Sequence, residues 1–446
     1  MPDPWRFHGG VHPDDGKALS AQGAIRKAPL LEKYLVPLQQ HIGAPPKLVV
    51  AKKATVRRGQ VLAEPGGFVS AAIHSPTSGT VSDITECIGP GGSPIPAVEI
   101  TSDGQDTADT CLEPIADWEN AAPDVLKKRV GEAGIVGMGG AAFPTLVKLS
   151  PPLAKPIDTL ILNGAECEPC LTADYRLMLE MPDRVVAGAR IITRILGVKQ
   201  TWIAIEANKP DAEACVRQKA EGTGIGVQSL RVRYPQGAEK QLIYALTGRK
   251  VPAGGLPMDV GCVVQNVGTA VAIAEAVLDG KPLYERVTTV TGTPVVNPGN
   301  WRFRVGTPFR AALTLAGGVK EDPAKMISGG PMMGLTVYSL DVSIVKSTSG
   351  ILLLGPSEVS QFRSGACLHC GRCVDACPML LTPATLSVQI ENERFDLAEK
   401  WNAFDCIECG CCAYVCPAKR PLVQHLRRAK AEIMVRRRAA QAAAKR

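Results

Sequence analysis

The clearest chemistry in this sequence is carried by two cysteine runs of identical spacing near the end of the chain. Residues 367–378 read CLHCGRCVDACP and residues 406–417 read CIECGCCAYVCP, so each run is Cys-x2-Cys-x2-Cys-x3-Cys-Pro. Three thiolates at positions i, i+3 and i+6 of a tight loop can bind three irons of a cubane cluster. The fourth cysteine is expected to start a helix and to point across to the other cluster, and the proline ends the ligand loop.

Two [4Fe–4S] clusters with crossed fourth ligands are predicted, because the pattern matches the bacterial ferredoxin run ligand for ligand. The ligands expected for cluster one are Cys367, Cys370, Cys373 and Cys416, and those expected for cluster two are Cys406, Cys409, Cys412 and Cys377. Cys411 lies off the spacing and is predicted to be unligated. The alternative is zinc, whose sites pair two Cys-x2-Cys knuckles and do not need the third and fourth cysteines of each run. Paired clusters transfer single electrons, so the rest of the chain should supply a donor or an acceptor.

Composition and charge exclude several other classes of protein. The 446 residues suggest two to four domains, and 45% apolar with 21% charged residues is typical of a globular chain. The net charge of +7 is too small to indicate nucleic-acid binding. We expect no secretion signal and no membrane span, because the first residues hold no apolar segment and no run of about eighteen apolar residues occurs. Fifteen cysteines without an export signal favour metal binding over disulfides and predict a bacterial cytoplasm.

The order of strands, turns and helices predicts a multidomain α/β and α+β fold. Short strands between Gly and Pro turns at 46–100 resemble the lipoyl/biotinyl barrel-sandwich fold, without an evident lysine for a prosthetic group. Strands such as TLILNG then alternate with helices, which predicts a Rossmann-like α/β domain with a mainly parallel sheet. The predicted boundaries are 1–30 for an N-terminal arm, 31–115 for the barrel-sandwich domain, 120–285 for the α/β domain, 286–355 for a β-grasp (SLBB) domain, 356–425 for a ferredoxin-like helical two-cluster domain and 426–446 for a basic tail.

A glycine-rich loop, GIVGMGGAAFPTLVK at 134–148, is the first candidate for binding a cofactor. Gly137, Gly139 and Gly140 allow the backbone to approach a phosphate or a ring closely. A helix is predicted to begin near Thr145, where free N–H groups could face an anion, and Lys148 could pair with a phosphate. A plain tight turn is the alternative, since a glycine loop alone is weak evidence.

A second candidate loop, NGAECEPC at 163–170, directly follows the strand TLILNG. Ligands of α/β sheets bind beyond the carboxyl ends of the strands. Asn163 can donate to a flavin ring or ribitol, while Glu166 and Glu168 can accept hydrogen bonds from a nicotinamide amide or a ribose. A solvated polar loop with an acidic pair is the alternative.

Four segments together resemble the flavin- and NADH-binding subunit of respiratory NADH dehydrogenase (complex I). They are GIVGMGGAAFPT, NGAECEP, YPQGAE and QNVGT. The resemblance implies FMN contacts by Gly137, Gly139, Gly140, Lys148, Asn163 and Asn266, and NADH contacts by Glu166, Glu168 and Glu239. Met138, Ala165 and Gln265 stand where that family has Arg, Asp and Asn. Hydride transfer between nicotinamide and flavin needs no side-chain acid or base, so the candidate catalytic residues, Glu166 and Glu168, are expected to act by alignment and electrostatics.

With the FHGGVHPDDGK arm, the barrel-sandwich region, the β-grasp module and the two cysteine runs, the resemblance extends over essentially the whole chain. This order resembles the C subunit of the Rnf (Rsx) ion-translocating electron transport complex. That resemblance implies peripheral attachment to the cytoplasmic face of the inner membrane, partner subunits of that complex, and electron exchange between NAD(H) and, indirectly, ferredoxin. Two alternatives stay open, namely a soluble NADH-dependent cobalamin reductase and an electron-carrier scaffold without flavin.

The basic C-terminal segment, HLRRAKAEIMVRRRAAQAAAKR, has two interpretations. Its arginine clusters could favour an anionic membrane surface or an acidic partner. A solvated helix end is the alternative, because charged runs often form solvated tails.

Overall fold

The computed structural model describes residues 7–360 and 362–444, which form two compact units. The sheet unit comprises Asp15–Ser229 and Gly261–Val359. The cysteine unit comprises the described residues up to Asp14, Leu230–Val260 and those from Ser360 onward. The predicted domain boundaries stay predictions, although Leu230–Val260 groups with the cysteine unit and not with the surrounding α/β residues.

The first part of the sheet unit is a sandwich of two small antiparallel sheets. One sheet has the order β2-β8-β7-β4, and the other has the order β3-β5-β6. Tyr34, Leu62 and Ile100 are fully or almost fully buried in its core. The elements up to this point are α1 (Ala18–Ala21), β1 (Arg26–Lys27), β2 (Lys33–Pro37), β3 (Lys47–Leu48), β4 (Thr55–Val56), β5 (Val61–Glu64), β6 (Ile73–His74), β7 (Gly79–Ile88) and β8 (Pro94–Ser102).

The second part is an α/β layer whose four-stranded sheet has the order β11-β10-β9-β12. β9 is parallel to both of its neighbours, β10 and β12. Its residues Thr159–Leu162 are all buried, as expected for a central parallel strand covered on both faces. The elements are α2 (Pro123–Glu132), α3 (Thr145–Lys148), β9 (Thr159–Gly164), α4 (Ala173–Glu180), α5 (Pro182–Leu196), β10 (Gln200–Glu206), α6 (Pro210–Ala220), β11 (Gly226–Leu230), α7 (Glu239–Thr247, in the cysteine unit), β12 (Cys262–Asn266) and α8 (Val267–Leu278).

Two helices of this layer, α5 and α8, pack unusually closely. A Cβ on Gly188 of α5 would lie 2.0 Å from the carbonyl oxygen of Ala270 of α8, so this crossing requires glycine. Helix α5 begins with Pro182 and ends at Gly197, whose φ of 62° is left-handed. The apolar helix α8 is buried along nearly its whole length and so fixes the position of its own N-terminus.

The third part is a mixed six-stranded sheet with one helix, which matches a β-grasp arrangement. Its strand order is β1-β14-β13-β17-β15-β16, with β13 parallel to β17 and antiparallel to β14. Phe303, Phe309 and Ile344 are completely buried in its core. The elements are β13 (Glu285–Thr291), β14 (Gly299–Arg304), α9 (Phe309–Leu315), β15 (Lys325–Ser328), β16 (Leu335–Val337) and β17 (Gly350–Leu354).

The cysteine unit is helical, and its longest helix covers the core. Leu386, Ile390 and Phe395 pack with Leu426 and Ile433 of the last helix. The helices that follow α7 are α10 (Arg372–Asp375), α11 (Pro383–Glu391), α12 (Phe395–Lys400), α13 (Cys411–Tyr414) and α14 (Leu422–Ala444). Across residues 7–360 and 362–444, no helix is both long and apolar enough to cross a membrane.

Several arginines and lysines of α14 pair with acidic residues of the same unit. The pairs are Arg427 and Lys430 with Glu408, Arg428 with Glu393 and Arg437 with Glu399. The guanidinium of Arg436 also lies 5.0 Å from the centre of the Phe395 ring. Since Ile433 is buried, α14 is an integral part of this unit at least as far as that residue, and half-exposed pairs of this kind add little stability of their own.

His74 and Lys346 converge on Gly134 in the interior of the sheet unit. A Cβ on Gly134 would lie 2.9 Å from Lys346 Nζ and 3.0 Å from His74 Cε1. Lys346 Nζ donates to the carbonyls of Ala72 and Gly134, both at 2.6 Å, and burial lowers its pKa to about 7. Burial and then the charge of Lys346 lower the pKa of His74 to about 3. Neither ring nitrogen of His74 has a well-formed hydrogen bond within the described residues, although the Glu132 backbone favours the protonated ring.

Replacing His74 with leucine is expected to make the protein more resistant to acid. Unfolded His74 takes up a proton near pH 6.5 and the folded residue only near pH 3, so between these values the wild type loses stability as pH falls. The steepest contribution of one such proton is about 1.4 kcal/mol per pH unit. At neutral pH we expect a small change, because leucine also removes two unpaired buried nitrogens.

The measurement is the apparent melting temperature of wild type and His74→Leu between about pH 7 and about pH 4.5. His8→Leu is the matched control, because His8 is exposed. A variant that loses as much on acidification as the wild type would show that His74 carries none of this dependence.

Candidate functional site

Each predicted set of four cluster ligands surrounds one cavity of the cysteine unit. The first cavity, of about 390 Å³ including space open to solvent, is lined by Cys367, Cys370, Cys373 and Cys416 together with other residues. The second, of about 330 Å³, is lined by Cys377, Cys406, Cys409 and Cys412 together with other residues. The fold therefore brings together the crossed sets that the spacing predicted, with the fourth cysteine of each run at the other run's cavity.

The two cysteine runs adopt the same local backbone. The second residue after the first cysteine has a left-handed φ in both, 53° at His369 and 58° at Glu408. The glycine before the third cysteine is also left-handed in both, with φ of 77° at Gly371 and 81° at Gly410. These turns direct successive cysteines inward, which explains why a glycine lies between the second and third cysteines of each run.

Backbone amides also point at the cysteine sulfurs in the same way. The amide of His369 lies 3.4 Å from Cys367 Sγ, and the amide of Glu408 lies 3.3 Å from Cys406 Sγ. Such N–H groups stabilise sulfur that carries negative charge and help to set a cluster's potential. The duplicated loops thus offer pre-formed donors as well as thiols.

Four thiols around each cavity are the donor set of an iron–sulfur cluster. No group of three or more His, Cys, Asp or Glu side chains in the described part of the chain could hold one metal ion. A cubane cluster distributes its four thiolates over separate irons, so they stand around a cavity and not around one atom. Burial raises the pKa of Cys406 to about 11, and the charge of Lys430 opposes this shift.

The candidate flavin site lies at one edge of the α/β sheet, where two asparagines are among the last two residues of neighbouring strands. Asn163 of β9 and Asn266 of β12 are partners in the strand register. Asn266 Oδ1 accepts hydrogen bonds from the amides of Gly268 and Thr269, which caps α8. Its Nδ2 donates to Asp174 Oδ2 at 2.6 Å. This is the carboxyl edge of the sheet, where the rule for α/β folds places ligands.

The glycine loop lies over the beginning of α8. The amide of Met138 donates to Thr269 Oγ1 at 2.9 Å. A Cβ on Gly139 would lie 3.5 Å from Asn266 Cβ, an ordinary contact, and a Cβ on Gly140 would meet nothing within 4 Å. The φ of Gly140 is 111°, which strains any other residue. The loop therefore exposes its backbone at Gly140, and a Cβ on Gly139 would make only an ordinary contact.

The structure also locates the helix predicted after the glycine loop and the side chain of Lys148. The predicted helix after the loop is a single turn, Thr145–Lys148, and offers fewer aligned N–H groups than a long helix would. Lys148 Nζ donates to the carbonyl of Val264 on β12 at 3.1 Å, so its ammonium lies at the sheet. Its contact with FMN stays a prediction, as do those of Gly137 and the other glycines.

Glu166 and Glu168 make hydrogen bonds to backbone amides. Glu166 accepts from the amides of Asp174 at 2.7 Å and Tyr175 at 3.1 Å, which caps α4. Glu168 Oε1 accepts from the amides of Met332 at 2.6 Å and Met333 at 2.9 Å. Burial raises the pKa of Glu166 to about 7 in spite of the opposing charge of Lys17. The predicted contacts of both carboxylates with NADH stay predictions.

Two buried lysines that the sequence did not indicate hold the loop of these glutamates. Lys17 Nζ donates to the carbonyls of Glu166 and Glu168, both at 3.0 Å, and of Leu171 at 2.5 Å. Lys209 Nζ donates to the carbonyl of Ala165 at 2.6 Å. A lysine in a polar stretch gives no signal of burial, and the partners of Lys17 are about 150 residues away along the chain.

Arg286 connects the glycine loop to the β-grasp sheet, and the sequence did not indicate this role either. Its Nη2 donates to the carbonyl of Met138 at 3.4 Å and its Nη1 donates to the carbonyl of Lys346 at 2.5 Å. Burial lowers its pKa to about 10, and the charge of Asp174 opposes this shift. The remaining predicted residue, Glu239, begins α7 in the cysteine unit, and its role toward NADH stays a prediction.

Family models match four successive parts of the chain. They are the RnfC barrel sandwich hybrid domain at 5–105, the Nuo51 FMN-binding domain at 130–275, the SLBB domain at 287–336 and the 4Fe-4S dicluster domain at 361–417. These matches confirm the predicted fold class, with barrel-sandwich, flavin-binding α/β, β-grasp and two-cluster domains. They also support the predicted cofactors, FMN and two [4Fe–4S] clusters.

Curated relatives match over almost the whole length. The C subunit of the proton-translocating ferredoxin:NAD(+) oxidoreductase complex of Clostridium ljungdahlii is 48% identical over 96% of this chain and 93% of its own. The C subunit of the Na(+)-translocating complex of Acetobacterium woodii is 45% identical over 97% of this chain and 98% of its own. The chain belongs to this family of C subunits. The whole-chain resemblance predicted from the sequence is thereby confirmed.

Solved structures with a similar fold include a hydrogenase. The crystal structure of an NAD+-reducing [NiFe]-hydrogenase in the H2-reduced state has a TM-score of 0.51 and 20% identity, and covers 74% of this chain and 69% of the hydrogenase chain. At this identity the likeness shows the fold alone.

Proposed function

We propose that this chain is the NAD(H)-reactive subunit of a membrane-bound, ion-translocating ferredoxin:NAD oxidoreductase. Electrons pass between NAD(H), a flavin and two [4Fe–4S] clusters to or from partner subunits. The observation that carries the proposal is the match of the whole chain to the C subunits, at 48% and 45% identity. The two cavities, each lined by one crossed set of cysteines, support it independently.

FMN, when bound, supplies the conversion between two-electron and one-electron transfer. The chain's own residues position the reactants. The bare backbone of Gly139 and Gly140 admits the ring system, and Asn163 lies at the strand end beside it. Lys17 and Lys209 hold the loop of Glu166, where the nicotinamide nucleotide binds. The eight cysteines hold the clusters, and no side chain needs to move a proton during hydride transfer.

The partners in this proposal are the other subunits of the complex, with ferredoxin reached through them. We propose a peripheral location on the cytoplasmic face of the bacterial inner membrane. Arg436 and Arg438, on the exposed face of α14, are candidates for contact with anionic lipid. The translocated ion and the direction of flow depend on the partners.

Reconstitution of the complex tests the proposal. Membranes that contain the remaining subunits but lack this one are expected to regain NADH-dependent ferredoxin reduction, or its reverse, when the holoprotein is added. The soluble cobalamin reductase alternative expects no recovery with the membranes and instead reduction of cob(III)alamin by the chain alone. That second outcome would overturn the proposal.

A further inference from the structure

The two cluster loops carry different side chains at one pair of equivalent, buried positions, and each of these side chains lines one of the cavities. Four residues after the last cysteine of its run, the first loop has Leu381 and the second has Arg420. Leu381 is 7% exposed and lines the cavity of cluster two, while Arg420 is 9% exposed and lines that of cluster one. The same place in two similar loops thus holds an apolar side chain at one cavity and a guanidinium at the other.

The guanidinium of Arg420 is only partly satisfied by protein. Nη1 donates to the carbonyl of Gly365 at 3.4 Å, and Nη2 donates to Ser387 Oγ at 2.9 Å and to the carboxylate of Glu391. Nε is buried and has no hydrogen-bond partner among the described residues. Buried donors are nearly always paired, so this N–H, in a residue that lines the cavity, is available to an acceptor bound there. At this cavity the acceptors are cluster sulfurs.

A donor at this place favours the reduced cluster. One-electron reduction adds one negative charge to the cluster, and no bond is formed or broken. A hydrogen bond to sulfur and a nearby positive charge both stabilise that charge and raise the potential. Glu391 offsets part of the charge but leaves Nε–H free.

The cavity of cluster two also has positively charged side chains nearby, but their hydrogen bonds go to oxygen atoms of the protein. Lys430 Nζ donates to the carbonyl of Cys406 at 2.8 Å and to Glu408 Oε1 at 2.7 Å. Arg427 also donates to Glu408. These donors are bound to oxygen, and Leu381 contributes only its backbone amide, 3.4 Å from Cys377 Sγ.

We propose that Arg420 donates its Nε–H to cluster one and thereby raises the reduction potential of that cluster. This inference rests on the proposed ligand sets. It assigns to this side chain one difference between the two clusters that their shared backbone geometry does not provide.

The test is a redox titration of the holoprotein followed by electron paramagnetic resonance. The cluster signals are assigned with Cys370→Ala, which removes cluster one. Arg420→Leu copies the residue of the other loop, and we expect the midpoint of cluster one to become more negative while that of cluster two is unchanged. Arg420→Lys keeps a charge without the Nε–H and should give a smaller shift in the same direction. Lys419→Leu removes an exposed neighbouring charge and should shift neither midpoint.

An unchanged midpoint of cluster one, in whichever Arg420 variant retains the wild-type iron content, would overturn the inference. If both midpoints shift equally, Arg420 acts through the fold, and the inference fails as well. Wrong ligand sets would be seen separately, as a Cys416→Ala variant that keeps the signal that Cys370→Ala loses.

Discussion

Replacing Cys416 with alanine is expected to remove cluster one and leave cluster two, although Cys416 belongs to the second run. The reason is the crossed arrangement, in which Cys416 lines the cavity of Cys367, Cys370 and Cys373. Iron content should fall from about eight to about four per chain, and the lost signal should be the one that Cys370→Ala also loses. The double variant Cys370→Ala with Cys416→Ala should lose no further iron.

Cys411→Ser is the matched control for this experiment. Cys411 lies next to Cys412 in the same run and is fully buried, but it lines neither cavity. We expect its iron content to equal that of the wild type. If Cys416→Ala instead lost the signal that Cys406→Ala removes, each run would bind its own cluster and the crossed sets would be wrong.

Replacing Gly139 with alanine is expected to weaken FMN binding about tenfold to a hundredfold. The protein itself can accept the methyl group, since its Cβ would be 3.5 Å from the nearest atom, Asn266 Cβ. Any loss of FMN affinity would therefore come from the methyl group keeping the ligand away from the backbone. Overpacking of this kind costs about 1–3 kcal/mol, and each 1.4 kcal/mol is about a factor of ten in affinity.

The measurement is the dissociation constant of FMN for the deflavinated protein, with folding checked by circular dichroism. Gly23→Ala is the control, because Gly23 is also in open surroundings, where the nearest atom to its Cβ would be Arg26 Nη2 at 3.9 Å. Unchanged FMN affinity in Gly139→Ala would exclude the glycine loop as the flavin cradle.

The cysteine chemistry could be read from the sequence because covalent ligation fixes residue type and spacing together. The spacing of the two runs predicted which fourth cysteine would reach which cavity, and the fold has that arrangement. Asn163 was a candidate because it lies at the end of an apolar strand, and Asn266 was one through the resemblance to the flavin-binding subunit. The strand register pairs the two residues, and their contacts with FMN stay predictions.

What the sequence could not indicate are the long-range contacts of buried charges. Lys17 binds carbonyls about 150 residues away, and nothing near it in sequence signals that its ammonium is buried. The sequence also did not show that Glu166 caps α4 or that Glu168 accepts from the amides of Met332 and Met333, and the contacts of both with NADH stay predictions. Whether a carboxylate is free to bind a nucleotide depends on its neighbours in space, which the sequence alone does not show.

The most direct test of the central claim is a cofactor inventory of the anaerobically purified chain followed by addition of NADH. We expect about eight irons and about eight sulfides per chain, one FMN, and bleaching of both flavin and cluster absorbance by NADH. A protein that holds all of its iron but no flavin, and whose spectrum does not respond to NADH, would contradict the proposed path of electrons from nicotinamide to the clusters.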